Sequence, residues 1–231
     1  MSAQILSGIS VGYGAFRNGS KSLVAALAVC VCTTTSALAA EVTIAALGDS
    51  LTQGYGLPQG EGFVPQLQDW LTARGEDVEV LNAGVSGDTT AGGLSRVDWT
   101  LTDNVDAMIV ALGGNDLLRG IDPAVSRANL EGILLAAEEK GVDVLLVGMT
   151  ATSNYGTAYK KAFESMYPEL AEAHDTLYYH SFFDALTEDG ITEENIRTYM
   201  QPDGIHPNAE GVAKIVADLG PYVVELANKA R

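Results

Sequence analysis

The sequence predicts a three-layer α/β/α sandwich around a central parallel sheet of about five strands. From residue 41 onward, short aliphatic runs alternate with longer amphipathic stretches at even spacing. Most of the aliphatic runs are nearly continuous, which is typical of strands that are buried on both faces. Strands that alternate with helices imply right-handed crossovers and a parallel sheet. No repeat or linker divides the chain after residue 39, so residues 40–231 are predicted to form a single domain.

The elements follow from these runs in chain order. Four strands are predicted at 42–47, 78–81, 107–112 and 144–147, with a weaker fifth at 177–179. Helices are predicted near 62–74, 91–102, 122–140, 157–173 and 208–229. Polar, glycine-containing segments follow the strands, and a further one precedes the last helix. Because the carboxyl ends of parallel strands meet at one edge of a sheet, these segments should converge on one ligand-binding rim.

Residues 1–39 are predicted to be a cleaved signal peptide. They contain no Asp or Glu, and their only two charged residues are Arg17 and Lys21. The apolar run 22–32 fits a signal-peptide core and is too short to span a bilayer, and Ala37-Leu38-Ala39 offers small residues on which cleavage depends. A retained anchor and lipid attachment at Cys30 are the less favoured alternatives. The protein is therefore expected to be exported, either to the periplasm or to the medium, with no stable membrane anchor after cleavage.

Composition excludes several classes of function. The 231-residue chain has 13 Lys and Arg against 30 Asp and Glu, a net charge of −17. Cleavage after residue 39 would leave 192 residues with 11 basic against 30 acidic side chains, or −19. Such a charge disfavours nucleic acid and anionic membrane surfaces as partners. Both cysteines, Cys30 and Cys32, would be removed, so a cysteine nucleophile or a cysteine-based zinc site is excluded from the mature chain.

The rim segments contain the residue types that serine-based acyl transfer requires. Ser50 follows the first strand between glycines, where a sharp turn could expose its hydroxyl at a helix start. His206 lies three residues after Asp203, so one loop could hold a general base and the carboxylate that orients it. The backbone amides of Ser50 and Gly87 and the side chain of Asn115 are candidate donors to an oxyanion.

Each of these signals alone also fits an ordinary structural role. Ser50 could be a helix N-cap, the Asp203–His206 pair an ordinary turn, and Asn115 a turn residue that tolerates a left-handed backbone. Of the other histidines, His174 is expected at the surface or facing a helix dipole, and His180 is expected to be structural. Four weak signals that fall after different strands and supply four different catalytic functions are nevertheless hard to attribute to chance.

These segments resemble the four sequence blocks of the GDSL/SGNH hydrolases, in order and at suitable separations. The matching residues are Gly48-Asp49-Ser50-Leu51, Gly87, Gly114-Asn115-Asp116 and Asp203-Gly204-Ile205-His206-Pro207-Asn208. More narrowly, 48–56, 85–89 and 112–120 resemble the bacterial secreted branch of arylesterases and multifunctional acyl-CoA thioesterase/lysophospholipases. The segment 153–156 is similar to a substrate-side loop of that branch.

The resemblance implies a flavodoxin-like SGNH-hydrolase fold and a site of known type. It implies Ser50 as the nucleophile, His206 as general base and then acid, and Asp203 as its orienting partner. Ser50, Gly87 and Asn115 would form the oxyanion hole, while Asp49 and Asp116 brace their loops. Substrate contacts are expected at Leu118, Asn154, Tyr155 and Ile205, and no metal or organic cofactor is implied.

The sequence thus predicts a monomeric serine hydrolase that cleaves acyl esters, thioesters or lysolipids through an acyl-enzyme. Apolar residues predicted near the rim favour lipid-like or aryl acyl groups; these are Leu51, Leu57, Leu117, Leu118 and Ile121. A carbohydrate O-acetyl esterase is the alternative within enzymes, since related families use the same residues on sugar acetates. A non-catalytic secreted binding protein is the alternative outside them, but a binder has no need of the catalytic set.

Overall fold

A computed structural model describes residues 41–187 and 197–231. Five parallel strands form one sheet in the order β2-β1-β3-β4-β5. Their bounds are β1 Val42–Gly48, β2 Val78–Gly84, β3 Ala107–Ala111, β4 Asp143–Val147 and β5 Leu177–Tyr179. The predicted parallel sheet and its five strands are confirmed. The predicted signal peptide lies outside the described residues.

Burial along the strands follows their position in the sheet. Every residue of the central strands β1 and β3 is buried, in agreement with their continuous aliphatic sequences. The edge strand β2 begins with alternating burial, in which Val78 and Val80 are covered and Glu79 is exposed. β2 lies at an edge of the sheet, and the exposed position of Glu79 accounts for the charged residue in its otherwise aliphatic run.

Eight α-helices lie wholly within the described part of the chain. The five long ones agree with prediction within two residues at either end, and are α2 Phe63–Thr72, α3 Thr90–Thr100, α5 Pro123–Lys140, α6 Thr157–Ala173 and α8 Ala209–Lys229. No bounds were predicted for the three short ones, which are α1 Ser50–Gln53, α4 Gly114–Arg119 and α7 Asp184–Thr187. Of these, only a helix start at Ser50 was expected. A 3₁₀ turn covers Ser153–Tyr155. The three short helices all lie close after strand ends, where the predicted rim begins.

The long helices form the two outer layers of the sandwich. Helix α2 packs against α8, while α3 packs against α5 and α5 against α6. Helix α8 buries Ile215, Leu219, Val223 and Leu226, which recur at helical spacing on one face. No helix of residues 41–187 and 197–231 is both long and apolar enough to cross a membrane.

The strand order determines where a ligand can bind. After β1 the chain crosses to one side to form β2, and then returns past β1 to form β3 on the other side. Such a reversal leaves a crevice at the carboxyl ends of the strands. Ser50 follows the end of β1, and Asn115 lies in the first turn of α4 after β3. The fold therefore brings two of the predicted site residues to the edges of one crevice.

Candidate active site

Ser50 begins the short helix α1, directly after the first strand. The preceding Asp49 is the N-cap of this helix, and its carboxylate accepts a hydrogen bond from the Leu51 backbone amide at 3.0 Å. The helix is only four residues long. This arrangement is the exposed helix start that the sequence predicted for the Ser50 hydroxyl.

The side chains of three predicted catalytic residues form one continuous line of hydrogen bonds. His206 Nε2 lies 2.9 Å from the Ser50 hydroxyl oxygen, and His206 Nδ1 lies 2.7 Å from Asp203 Oδ2. A carboxylate can only accept, so Nδ1 must carry the proton that it donates to Asp203. In the neutral ring Nε2 then has a free lone pair, and it accepts from the Ser50 hydroxyl. Ser50 and His206 are 156 residues apart in sequence.

Asp203 is held as an anion by its own loop. Its Oδ1 accepts from the backbone amides of Ile205 at 2.9 Å and of His206 at 3.0 Å. Burial alone would raise the pKa of Asp203, but the hydrogen bonds from the His206 ring and from these two amides lower it from 3.8 to about 2. The carboxylate is therefore charged at every pH at which a histidine can act as a base.

Two side chains that sequence reasoning did not assign hold the His206 loop in place. The Tyr55 ring packs against the His206 ring, with centroids 4.8 Å apart and planes tilted by 40°. The Gln201 side-chain amide donates to the Tyr55 carbonyl at 2.8 Å and to the Pro207 carbonyl at 3.0 Å. Tyr55 lies within the motif that begins at Gly48, but only the fold brings it to the histidine.

Gly87 occupies a tight turn beside Ser50. The Asp88 amide donates to the Val85 carbonyl at 3.1 Å, which closes a four-residue turn with Gly87 in its third position. Gly87 has a φ of +86°, a left-handed conformation that a type II turn requires and that glycine adopts without strain. In the described part of the chain, the amides of Ser50 and Gly87 donate no hydrogen bond to another protein group. Both are therefore available to a ligand.

Asn115 faces the same crevice and is oriented by Asp49. Its Nδ2 atom donates to Asp49 Oδ2 at 3.2 Å, which uses one of its two N–H bonds and leaves the other free. Asp49 is 2% exposed, and burial raises its pKa above the ordinary value, against the hydrogen bonds from Leu51 and Asn115. Asp49 thus braces both its own helix and the Asn115 side chain, in agreement with its predicted role.

Asp116 braces the neighbouring helices and not the cavity itself. It is fully buried, and its carboxylate accepts from the Thr90 amide at 2.8 Å, the Thr90 hydroxyl at 2.6 Å and the Ser126 hydroxyl at 2.8 Å. These bonds join the first turn of α4 to the first turns of α3 and α5. The position of Asn115 is thereby fixed through its neighbour.

A cavity of about 820 Å³ opens beside Ser50. Ser50, Gly87, Asn115 and His206 all line it, so the structure brings the predicted nucleophile, base and oxyanion donors to one space. Its apolar wall includes Leu51, Leu117, Leu118, Met149, Phe183, Leu186, Met200 and Ile205. Three of the five apolar rim residues predicted from the sequence belong to this wall, whereas Leu57 and Ile121 do not.

The four predicted substrate contacts occupy different positions. Leu118 and Ile205 line the cavity. The Tyr155 hydroxyl donates to the Leu118 carbonyl at 3.3 Å, so Tyr155 is adjacent to the wall but not part of it. Asn154 is exposed and does not line the cavity. Met149, Phe183, Leu186 and Met200 were missed, because nothing local in the sequence distinguishes an apolar cavity wall from the core.

The other two histidines lie outside the cavity lining. His174 is the C-cap of α6, at the helix end where the dipole-facing alternative placed it. Its ring is not on the surface, since it is only 9% exposed and its Nδ1 lies 2.6 Å from Glu138 Oε1. His180 is exposed and lies 2.9 Å from Asp184 Oδ2, four residues along the chain. Within the described ranges, no group of three or more His, Cys, Asp or Glu side chains could hold a metal ion.

Comparison with known proteins identifies the family. The GDSL-like lipase/acylhydrolase family model matches residues 46–214. An arylesterase of Vibrio mimicus is 37% identical over 74% of this chain and 84% of its own length. Thioesterase 1/protease 1/lysophospholipase L1 of Escherichia coli K12 is 34% identical over 82% of this chain and 87% of its own.

A solved structure gives the same result for the fold. The SGNH-hydrolase family esterase AlinE4 superposes with a TM-score of 0.66 and is 39% identical, over 81% of this chain and 97% of its own. The predicted three-layer sandwich and the predicted activity class, a carboxylic ester hydrolase that acts through serine, are confirmed. This chain therefore belongs to the GDSL-like lipase/acylhydrolase family.

Proposed function

We propose that Ser50 is the nucleophile of this hydrolase, with His206 as its base and Asp203 as the residue that orients the histidine. The observation that carries this proposal is the hydrogen-bonded line Ser50–His206–Asp203, with distances of 2.9 Å and 2.7 Å. A serine hydroxyl is a weak nucleophile unless an adjacent base removes its proton. His206 Nε2 is within direct reach of that proton, and the Asp203 carboxylate stabilises the imidazolium that forms.

The proposed reaction proceeds in two balanced halves. The Ser50 oxygen attacks the acyl carbonyl carbon while His206 Nε2 takes the hydroxyl proton, and the carbonyl becomes a tetrahedral oxyanion. The oxyanion collapses, the bond to the alcohol or thiol breaks, and His206 returns the proton to that leaving group. Water then attacks the acyl-enzyme with His206 again as base, which releases the carboxylic acid and restores Ser50.

The oxyanion is proposed to bind three donors: the Ser50 amide, the Gly87 amide and Asn115 Nδ2. Support comes from their common cavity, from the two unused backbone amides and from the unused N–H of Asn115. Asp49 limits the rotation of the Asn115 side chain, so the donor is oriented before substrate arrives. Such preorganised donors lower the barrier because no reorganisation is needed as charge develops.

We further propose that the substrates carry an apolar acyl or aryl group, as esters, thioesters or lysolipids. The cavity of about 820 Å³ has an apolar wall and is much larger than an acetyl group requires. The relatives named arylesterase and thioesterase/lysophospholipase support the same substrate class. No feature of the described residues favours the alternatives of a carbohydrate O-acetyl esterase or a non-catalytic binder.

Export of a single mature domain remains a proposal from the sequence. Residues 1–39 would be removed, residues 40–231 would form the enzyme, and the protein would act as a monomer in the periplasm or medium. The family match over 46–214 falls entirely within the proposed mature domain. Sequencing the N-terminus of protein recovered from periplasmic and culture fractions tests this directly, and an intact Met1 in the cytoplasm would contradict it.

Replacement of the nucleophile tests the proposed mechanism. Ser50→Ala should abolish hydrolysis of p-nitrophenyl esters without loss of fold, and it should prevent covalent labelling by an organophosphonate. Ser95→Ala is the matched control, since the Ser95 hydroxyl is exposed on α3 and donates only to the Gly92 carbonyl at 2.7 Å. A folded Ser50→Ala protein with normal turnover would refute the assignment. Esters from acetyl to palmitoyl, with acyl-CoA, lysophospholipid and acetylated xylan, would then define the substrate.

A further inference from the structure

The Arg96 side chain connects three segments at the rim of the sheet. Its Nη2 donates to the Gly48 carbonyl at 2.9 Å, its Nη1 to the Ala83 carbonyl at 2.7 Å, and its Nε to Asp88 Oδ2 at 2.7 Å. Arg96 itself lies in the middle of α3. One guanidinium therefore bonds the ends of β1 and β2 and the turn that follows β2.

The first of these contacts fixes the backbone that leads to Ser50. The Gly48 carbonyl accepts from the Val85 amide at 3.0 Å as well as from Arg96, so two donors hold the peptide group between Gly48 and Asp49. The next peptide along the chain ends at the Ser50 amide, one of the three proposed oxyanion donors. A rotation of the Gly48 peptide would therefore move the Ser50 amide directly.

The Asp88 contact fixes the turn that presents Gly87. Asp88 closes this turn through its own amide, and its carboxylate is held by Arg96 in an ion pair whose side chains are 21% and 18% exposed. The same carboxylate lies over the start of α3, where an added Cβ on Gly92 would come within 2.6 Å of Asp88 Oδ1. The turn is consequently held against α3 by two side chains, Asp88 and Arg96, that do not line the cavity.

We propose that Arg96 is a positioning residue that fixes the Gly87 amide relative to the Ser50 amide, and so preserves the geometry of the oxyanion hole. The inference rests on the proposed function, because it assumes that these two amides bind the oxyanion. Arg96 is not among the residues that line the cavity, so it acts through the two loops and not on substrate. A guanidinium suits this role because its planar donors bond several acceptors in fixed directions, which an ammonium group cannot reproduce.

Kinetics on purified variants test the proposal. Arg96→Met and Arg96→Lys are compared with the control Arg127→Met, which removes an arginine whose partner is Glu169 at 2.9 Å between the outer helices. Turnover is measured per active site titrated with a chromogenic organophosphonate, so that unfolded protein does not count. Because small displacements of reacting groups cost up to about 100-fold, we expect kcat per site to fall about 10- to 100-fold in Arg96→Met.

Three further readouts separate positioning from a purely structural role. KM for a p-nitrophenyl ester should change less than about twofold, because only the transition state uses the oxyanion hole. Arg96→Lys should show an intermediate loss of kcat, and added guanidinium ion should restore part of the activity of Arg96→Ala. Arg127→Met should leave kcat, KM and the rate of phosphonylation unchanged.

The outcomes that overturn the proposal are specific. If Arg96→Lys and Arg96→Met retain full kcat per titrated site and lose only thermal stability, Arg96 is structural and the proposal is wrong. If Arg96→Met does not fold, Arg96→Lys and Asp88→Asn give the same test at milder cost. A dead Ser50→Ala with fully active Arg96 variants would reject the positioning role alone, whereas an active Ser50→Ala would reject the proposed function beneath it.

Discussion

Removal of the Asn115 side-chain amide should reduce turnover strongly and stability modestly. Asn115 has two N–H bonds, of which one is donated to Asp49 at 3.2 Å and the other is free to face the cavity. Asn115→Ala would remove the cavity donor and leave two backbone amides. Loss of one such donor costs about 2.7–4 kcal/mol of transition-state stabilisation, so kcat should fall about 100- to 1000-fold.

The cost in stability has a separate origin. Asp49 is 2% exposed, and Asn115→Ala would deprive its carboxylate of a buried hydrogen-bond partner. An unsatisfied buried acceptor costs about 1–3 kcal/mol, although Asp49 can relieve part of this by taking up a proton, since burial already raises its pKa. The melting temperature should therefore fall by several degrees while the fold persists.

The assay is steady-state hydrolysis of a p-nitrophenyl ester per titrated active site, with thermal unfolding of the same preparation. Asn129→Ala is the control, because Asn129 also donates one side-chain bond, to Thr90 at 3.0 Å, but does not line the cavity. It should lose comparable stability and keep its kcat. A folded Asn115→Ala with more than about a tenth of normal kcat would refute the donor role. A raised KM at normal kcat would make Asn115 a ground-state binding residue instead.

Two further predictions concern Gly87 in its turn and the carboxylate of Asp203. Gly87→Ala would force alanine into a φ of +86° with only Arg119 Nη2 within 4 Å, so the strain of about 1–2 kcal/mol should distort the turn and lower kcat. Gly60→Ala, at a φ of +100° in open space, should lose similar stability at unchanged kcat. The pKa of Asp203 is about 2 in the folded protein against an ordinary value of 3.8. The charged carboxylate therefore contributes its full share to the free energy of unfolding above pH 3.8, and this contribution is lost as the pH falls toward 2. The difference in unfolding free energy between wild type and Asp203→Asn, measured by urea titration, should therefore shrink as the pH falls below about 4. If this difference in unfolding free energy did not vary with pH, the proposed stabilisation of the charged Asp203 carboxylate by its hydrogen bonds would be contradicted.

Features that depend on local sequence could be predicted, whereas features that depend on contacts between distant segments could not. The five strands and five long helices follow from local hydrophobic patterns, and these agree with the structure to within two or three residues. Helices α1, α4 and α7 have four to six residues, which is too few for a periodic pattern to show in the sequence. Only α1 has a side-chain N-cap bond among the first two, from Asp49, whereas Gly113 at the start of α4 supplies none. The strand order depends on which side each crossover takes, which no segment encodes by itself.

The candidate site divides in the same way. Asp203 and His206 could be paired from sequence because they are only three positions apart within one loop. Arg96 could not be assigned, since its acceptor at Gly48 is 48 residues away and an arginine in a helix usually faces solvent. Tyr55 and Gln201 were missed for the same reason, because their contact joins segments 146 residues apart.

The loops of the site are held in place by hydrogen bonds to one another, so the effects of substitutions in different loops should not be independent. Asp49 from the β1 loop orients Asn115 after β3, and Gln201 from the last loop bonds the carbonyl of Tyr55 after α1. Each brace is a side chain of one loop that bonds a group of another. Two residues joined by such a hydrogen bond lose the same contact when either is replaced. The loss of activity in a double variant should therefore be smaller than the sum of the losses, as free energies, in the two single variants. Variants of the oxyanion donors and of the base should consequently have non-additive effects on activity, because a loop that loses one contact is held less well at its remaining contacts.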